Sequence, residues 1–201
     1  MSKRLVLASN NAGKAAEMHA LLAPLGIEVI AQSTLGIPDA EEPHVTFVEN
    51  ALAKARHASA HTGLPAVADD SGLCVDILAG APGVHSARFA GEPKSDERNN
   101  ALLLEQLAAF PLPVQRRAYF YCVSVLVRSA DDPRPLIADG EWHGEILAEA
   151  RGAGGFGYDP LFWLPELEQT AAEMDVSLKN TLSHRAAAMR HLLDRLRYYP
   201  L

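Results

Sequence analysis

Apolar residues recur along this chain as short runs separated by longer stretches of helical spacing. Leu5 to Ala8 reads as a short buried strand. The polar turn from Ser9 to Lys14 leads into a helix with Met18, Leu21, Leu22 and Leu25 on one face, closed by Gly26. Glu28 to Ala31 reads as a second strand, and Gln32 to His44 as an irregular loop. Thr46-Phe47-Val48-Glu49 matches a capping box, opening a helix through Leu52, Ala55 and Ala58 to Gly63. A further apolar run then delivers two adjacent carboxylates, Asp69 and Asp70, to the C-terminal end of a strand. Ser71-Gly72 breaks that run before a second apolar segment, Leu73 to Leu78, begins.

The pattern continues after a Gly/Pro turn at 79–83. Ser95-Asp96 starts a helix with Leu103 and Leu107 on its buried side, which Pro111 and Pro113 stop. Ala118 to Val127 is the strongest strand signal, rich in aromatic and β-branched residues. The turn at 129–135 returns it through Leu136 to Trp142 as a hairpin or extended β-lobe. Ser183 is placed to cap a last helix carrying Met189, Leu192, Leu193 and Leu196. These elements predict an α/β fold, its middle section having the composition of a second lobe. A cleft between lobes is a common ligand site.

Composition narrows the function classes. With 201 residues and 48% hydrophobic content, the chain can bury a substantial core. A formal charge of -7 argues against holding nucleic acid by bulk electrostatics, so an anionic ligand needs a local basic cluster, a metal, or both. The two cysteines, Cys74 and Cys122, each lie in an apolar run, which suits buried thiols in a reducing compartment. Leu5 to Ala8 is too short for the apolar region of a signal peptide, and no run is long enough to span a membrane. A cytoplasmic protein is expected.

Several stretches carry candidate chemistry. Neighbouring carboxylates such as Asp69 and Asp70 either repel, raising one pKa, or share a divalent cation; the competing reading is a solvated Asp-Asp-Ser-Gly turn. A strand, a loop with hydroxyl, amide and Gly-Lys groups, then a helix suits phosphate, because backbone N–H groups and the positive helix end face the anion. An ordinary capped turn has the same outline. Glu49 has a capping role available, whereas Glu41 and Glu42 lie in a loop with none. Gly152 to Pro160 is a glycine-dense loop holding Phe156, Tyr158 and Asp159, where backbone can approach a ligand or simply turn. His184 and Arg185 oppose the dipole at a helix N-terminus, a small cost that an anionic or carbonyl-bearing ligand offsets.

Six of these segments occur together in order: Ser9-Asn10-Asn11-Ala12-Gly13-Lys14, Thr46 to Ala51, Ala68-Asp69-Asp70-Ser71-Gly72-Leu73, Gly80-Ala81-Pro82-Gly83, Gly154 to Pro160, and Ser183-His184-Arg185. In this combination the chain resembles the inosine triphosphate pyrophosphatase family over nearly its whole length. Ser9-Asn10-Asn11 stands where members often have Thr-Gly-Asn. The lysine expected before Ser-His-Arg is present as Lys179, in a less acidic context than usual.

The resemblance implies one domain over residues 1–201, with a mixed sheet, flanking helices and two lobes enclosing a central active-site cleft. It implies a homodimer, a magnesium requirement, and hydrolysis of dITP, ITP or XTP to the monophosphate and pyrophosphate, with no nucleic-acid or membrane partner. Ser9, Asn10, Asn11, Ala12, Gly13 and Lys14 would hold the triphosphate. Glu41 and Asp70 would bind magnesium, with Asp69, Glu42 and Glu49 as neighbours. Asp70 would also orient or deprotonate the attacking water, and Ser71 would bind substrate. Phe156 would stack on the base, Gly157, Tyr158 and Asp159 would shape its pocket, and Lys179, His184 and Arg185 would read the base edge. A non-catalytic nucleotide sensor and a metal-dependent phosphomonoesterase are the alternatives.

Overall fold

The computed structural model describes residues 3–10, His19 and residues 27–199. Its seven strands form one mixed sheet of order β2-β1-β3-β4-β5-β6-β7. Strand β1 (Lys3–Leu7) pairs in parallel with β2 (Ile27–Ala31) and with β3 (Ala66–Val75). The remaining strands are β4 (Arg117–Val127), β5 (Leu136–Ile146), β6 (Phe162–Leu164) and β7 (Gln169–Thr170), with β5, β6 and β7 antiparallel in turn. Four helices are described: α1 (Phe47–Thr62), α2 (Asp96–Gln106), α3 (Val176–Leu182) and α4 (His184–Leu196). The expected α/β class with a mixed sheet and flanking helices is therefore observed. Among the described residues no helix is long and apolar enough to cross a membrane.

The chain divides into two compact units, with three divisions inside β3, β4 and β5 and a fourth between α3 and α4. The first contains Met1–Asp70, Cys122–Gly140 and His184–Leu201; the second contains Ser71–Tyr121 and Glu141–Ser183. Each has its own apolar core. In the first, Leu5, Leu7 and Val67 of the sheet pack with Leu126, Ala138 and with Met189 and Leu192 of α4. In the second, Leu73 and Val75 join Leu103 and Leu107, the aromatic group Phe120, Trp142 and Phe162, and Tyr158. Both cysteines are free and buried, as their apolar surroundings suggest.

Local chemistry explains the best-defined helix. Thr46 caps α1 by accepting from the Glu49 N–H, and its hydroxyl donates to Glu49 Oε2 at 2.5 Å. Gly63 ends the helix in the left-handed conformation at φ 67°. Its buried face is built from small residues, Ala51, Ala55 and Ala58, each fully buried, so the helix backbone can lie close to its neighbours.

Three expectations need correction. Strand β3 does not end at Asp70: it runs unbroken through Ser71 and Gly72 to Val75. Gly72 serves close packing instead of a turn, since a Cβ there would lie 2.2 Å from the Gly83 carbonyl oxygen and 2.5 Å from Ser86 Oγ. Helix α2 stops at Gln106, capped at Leu107, before either proline is reached. Strand β5 continues to Ile146, beyond the expected end at Trp142. Ser183 directly precedes α4 at His184, where it was expected, and it also ends α3, a helix that the spacing did not reveal.

The turn between β4 and β5 is organised by a buried carboxylate. Asp132 accepts from the Arg128 guanidinium at 2.7 and 3.0 Å and from the backbone N–H groups of Arg128 and Arg134 at 2.9 and 3.0 Å. Tyr199 donates its hydroxyl to Asp132 and accepts the Arg128 cation over its ring at 4.7 Å, tying the chain's end to this turn. The Arg128 hydrogen bonds hold the Asp132 carboxyl well below the usual range, despite burial. Burial and the Asp132 hydrogen bond push the Tyr199 phenol up to about 12.

Two outcomes are expected. Gly72→Ala forces a methyl into occupied space and should cost about 1–3 kcal/mol of stability, read as a lowered urea midpoint. Because the Tyr199 pKa is higher folded than unfolded, its contribution is intact below the ordinary value of 10.0 and is lost as pH rises towards about 12. The stability difference between wild type and Tyr199→Phe should therefore shrink over that window, and a constant difference would show that the phenol proton is not involved.

Candidate active site

The pleat decides what each of the paired acids can do. Successive strand residues point to opposite faces, so Val67 and Asp69 share one face of β3 while Asp70 takes the other. Val67 packs with Met189 and Leu192 of α4, and Asp69, two residues on, meets Arg185 of the same helix at 3.3 Å from both Nε and Nη2. This pair is almost fully buried, Arg185 being 1% exposed and Asp69 3%. Cys122 Sγ lies 3.9 Å from Asp69 Oδ2.

Asp70 meets α1 instead. Lys54 Nζ donates to Asp70 Oδ1 at 2.8 Å and to Glu42 Oε1 at 3.1 Å, and Asn50 Nδ2 donates to Asp70 Oδ2 at 3.4 Å. Asn50 and Lys54 are four residues apart and so lie on one helix face. Asn50 is fully buried and also bonds the His44 N–H and carbonyl, so the loop bearing Glu42 is fixed to the residue that touches Asp70. Burial alone would lower the Lys54 pKa, but the charges of Asp70, Glu42 and Asp69, with the Asp70 hydrogen bond, outweigh it and raise the pKa above its ordinary value. Lys54 is thus a fixed cation at neutral pH.

A second group lies in the other unit. Lys179 Nζ donates to Asp159 Oδ2 at 2.6 Å, both side chains being buried, and sits 4.9 Å from the centroid of the Phe156 ring. The same Asp159 oxygen accepts the Phe156 backbone N–H at 2.8 Å. Gly155 permits this, because at φ 72° a Cβ would stand 2.1 Å from Asp159 Oδ2. Phe156 remains 37% exposed, whereas Tyr158 is buried and donates its hydroxyl to the Ser86 carbonyl at 2.8 Å.

The expected site residues are therefore distributed as follows. Asp70, Asp69, Glu42, His184 and Arg185 belong to the first unit, and Ser71, Phe156, Gly157, Tyr158, Asp159 and Lys179 to the second. Glu41 is exposed; its neighbour Glu42 is the acid that reaches Lys54. Glu49 is engaged with Thr46 in capping α1. Ser9 is half-buried and Asn10 Nδ2 donates to Asp39 Oδ1 at 2.7 Å, while Asn11, Ala12, Gly13 and Lys14 lie outside the described residues. Sequence reading missed Asn50 and Lys54. Their signal was two polar residues at helical spacing on the alanine-lined face of a well-capped helix.

A model of the Ham1 family matches residues 5–195. The chain belongs to the Ham1 family. Among Ham1 relatives, the dITP/XTP pyrophosphatase of Aromatoleum aromaticum is 75% identical over 201 residues, covering 100% of both chains. That of Nitrosomonas europaea is 62% identical, covering 96% of this chain and 94% of its own. The solved HAM1 protein from Coxiella burnetii superposes with a TM-score of 0.90 at 48% identity, covering 98% of this chain and 99% of its own.

Asp70 and Glu42 supply carboxylate oxygens, the donor type that hard divalent cations take. Asp70 and Glu42 place carboxylate oxygens within 3.1 Å of one positive centre, the Lys54 ammonium, so they converge on a single point. Among the described residues no group of three or more His, Cys, Asp or Glu side chains is placed to hold a metal ion by itself. Magnesium is commonly held by one or two carboxylates, keeping waters and accepting phosphate oxygens for the remaining positions.

Separating the two acids predicts separable phenotypes. Asp69→Asn removes the buried countercharge of Arg185 and should cost about 3–5 kcal/mol in urea unfolding. A cost near zero would show that the Asp69–Arg185 pair does not hold β3 and α4 together.

Proposed function

We propose that this Ham1 chain hydrolyses non-standard purine nucleoside triphosphates, dITP, XTP and ITP, to the monophosphate and pyrophosphate. What carries the proposal is the buried Asp70 carboxylate, gripped by Lys54 and Asn50 in a chain 75% identical to a dITP/XTP pyrophosphatase. Asp70 is the catalytic residue: it orients the attacking water and takes its proton. Lys54 steadies that carboxylate in its ionised form and offers a cation to phosphate. Ser9 to Lys14 cradle the triphosphate, and Ser71 contacts substrate.

Magnesium is the proposed cofactor, bound by Asp70 with the acidic pair Glu41 and Glu42. It would neutralise phosphate charge. Asp70, Glu42 and Lys54 together carry two negative charges and one positive, so their sum repels a polyanion unless a further cation is bound. This balance supports a divalent ion.

Base recognition falls to the loop of the second unit. Phe156 is an exposed aromatic of the kind that stacks on a purine, walled by Gly157, Tyr158 and Asp159. Hypoxanthine and xanthine carry a carbonyl at position 6, where adenine carries an amino group. Lys179, like Arg185, has donors and no acceptor, and His184 can donate, so these side chains favour the carbonyl. The buried Asp69 pairing also gives Arg185 a structural duty. A homodimer is proposed from the family resemblance, to be checked by light scattering, and a cytoplasmic location from the reduced, buried thiols.

The test is hydrolysis of dITP, XTP, ATP and GTP with magnesium, separating pyrophosphate from phosphate. Pyrophosphate from dITP and XTP in preference to ATP and GTP is expected, and chelation should abolish turnover. Orthophosphate would instead mark a phosphomonoesterase, and magnesium-insensitive binding without turnover a sensor. Asp70→Asn, nearly isosteric, should lower kcat by roughly 10²–10⁴-fold with a near-native melting curve. A folded variant with wild-type activity removes Asp70 from the reaction.

A further inference from the structure

The glycine-dense loop is held by a second element whose polar residues have no place in the reaction outlined above. The Gly157 N–H donates to Asp96 Oδ2 at 2.7 Å, and the Gly157 carbonyl accepts from Asn100 Nδ2 at 3.0 Å. Asp96 and Asn100 stand four residues apart on α2, so one helix face grips both polar groups of a single residue. Those groups belong to two consecutive peptide planes, one joining Phe156 to Gly157 and the other joining Gly157 to Tyr158. Fixing both planes fixes the backbone torsions of Gly157, the residue type with most freedom to lose.

Asp96 is not required to cap its own helix. Ser95 does that, accepting the Arg98 N–H at 3.2 Å, and Glu97 places a second acid in the first turn. The Asp96 carboxylate is directed at Gly157 instead, and its charge, after burial, helps to push the neighbouring Tyr158 phenol above its ordinary pKa. On the other side of Gly157, the Phe156 N–H is held by Asp159 and the ring faces Lys179. Phe156 is thus an exposed aromatic whose backbone is secured before and after it.

We propose that Asp96, assisted by Asn100, is a positioning residue that clamps Gly157 and thereby presents Phe156, preorganised, to the purine base. This rests on the proposal that Phe156 stacks on the base. An exposed ring on a glycine loop would otherwise be ordered at the moment of binding, and preorganisation removes that cost from the affinity. The clamp acts on base binding alone, so it changes KM and leaves the chemical step untouched.

The experiment compares Asp96→Ala, Asp96→Asn, Asn100→Asp and Phe156→Ala with wild type. It reads dITP kinetics, inhibition by inorganic tripolyphosphate, and hydrogen exchange at the Gly157 amide. Losing a hydrogen bond to a charged acceptor should raise the KM of Asp96→Ala by roughly tenfold or more, with kcat and tripolyphosphate inhibition unchanged and Gly157 exchange accelerated. Asp96→Asn keeps an acceptor in place and should recover most of the loss. Asn100→Asp sets a carboxylate against the Gly157 carbonyl and should raise KM independently, which keeps the test alive should Asp96→Ala fold poorly. Wild-type KM and exchange in Asp96→Ala, beside a raised KM in Phe156→Ala, would overturn the clamp alone. Wild-type KM in Phe156→Ala would overturn the stacking proposal and the clamp's purpose with it. Equal weakening of tripolyphosphate and dITP in Asp96→Ala would show a general structural effect and also overturn the proposal.

Discussion

Two carboxylates stand side by side in an unbroken strand, and the alternation of strand side chains turns them to opposite faces. Each must find its own counterion on its own face. Asp69 is neutralised by Arg185 of α4 in a setting closed to water, and Asp70 by Lys54 of α1, with Glu42 sharing the ammonium. One acid pairs with α4, and the other faces Lys54 and Asn50 of α1. Had the strand ended at Asp70, a turn could have brought the two oxygens together and this division would be lost.

Presenting Asp70 to α1 requires that helix to lie close, and its composition permits this. Ala51, Ala55 and Ala58 are fully buried, so no large side chain separates the helix from its neighbours. The polar residues on that face, Asn50 and Lys54, then reach the Asp70 carboxylate. Asn50 also explains why the preceding loop holds its place: its amide bonds both the N–H and the carbonyl of His44. A buried asparagine with an aspartate and two backbone groups for partners is satisfied, whereas the same residue facing apolar side chains would destabilise the helix.

Much of the fold was legible because it depends on local signals. Thr46 and Gly63 bound α1 where the capping rules put them, and the aromatic run from Ala118 to Val127 lies within β4. The failures were at residues whose role is set by tertiary contact. Ser71-Gly72 has the composition of a turn, but Gly72 is small because Gly83 and Ser86 crowd it. The seven-residue helix α3, which ends on Ser183 just before α4, was not visible in the apolar spacing. For the candidate site, Asp70, Phe156, Asp159 and Lys179 could be named from motifs. Asn50, Lys54, Asp96 and Asn100 could not, because each is an ordinary polar residue on a helix until the partner it faces, 16 to 61 residues away in sequence, is known.

Buried ion pairs add little net stability, since desolvation offsets most of their attraction, so their presence in both units calls for another explanation. In each case the pair fixes the direction of a group that a flexible side chain would leave undetermined. Lys54 is held by two acids and so keeps its charge and position at neutral pH. Lys179 is held by Asp159, which also holds the backbone of Phe156, so cation and ring are oriented by one carboxylate. A chain with a formal charge of -7 has no diffuse positive field with which to gather an anion. It must fix individual cations at chosen points, and carboxylates are the groups able to fix them. The acidity that excludes bulk electrostatic binding is, at these two places, what holds the cations in position.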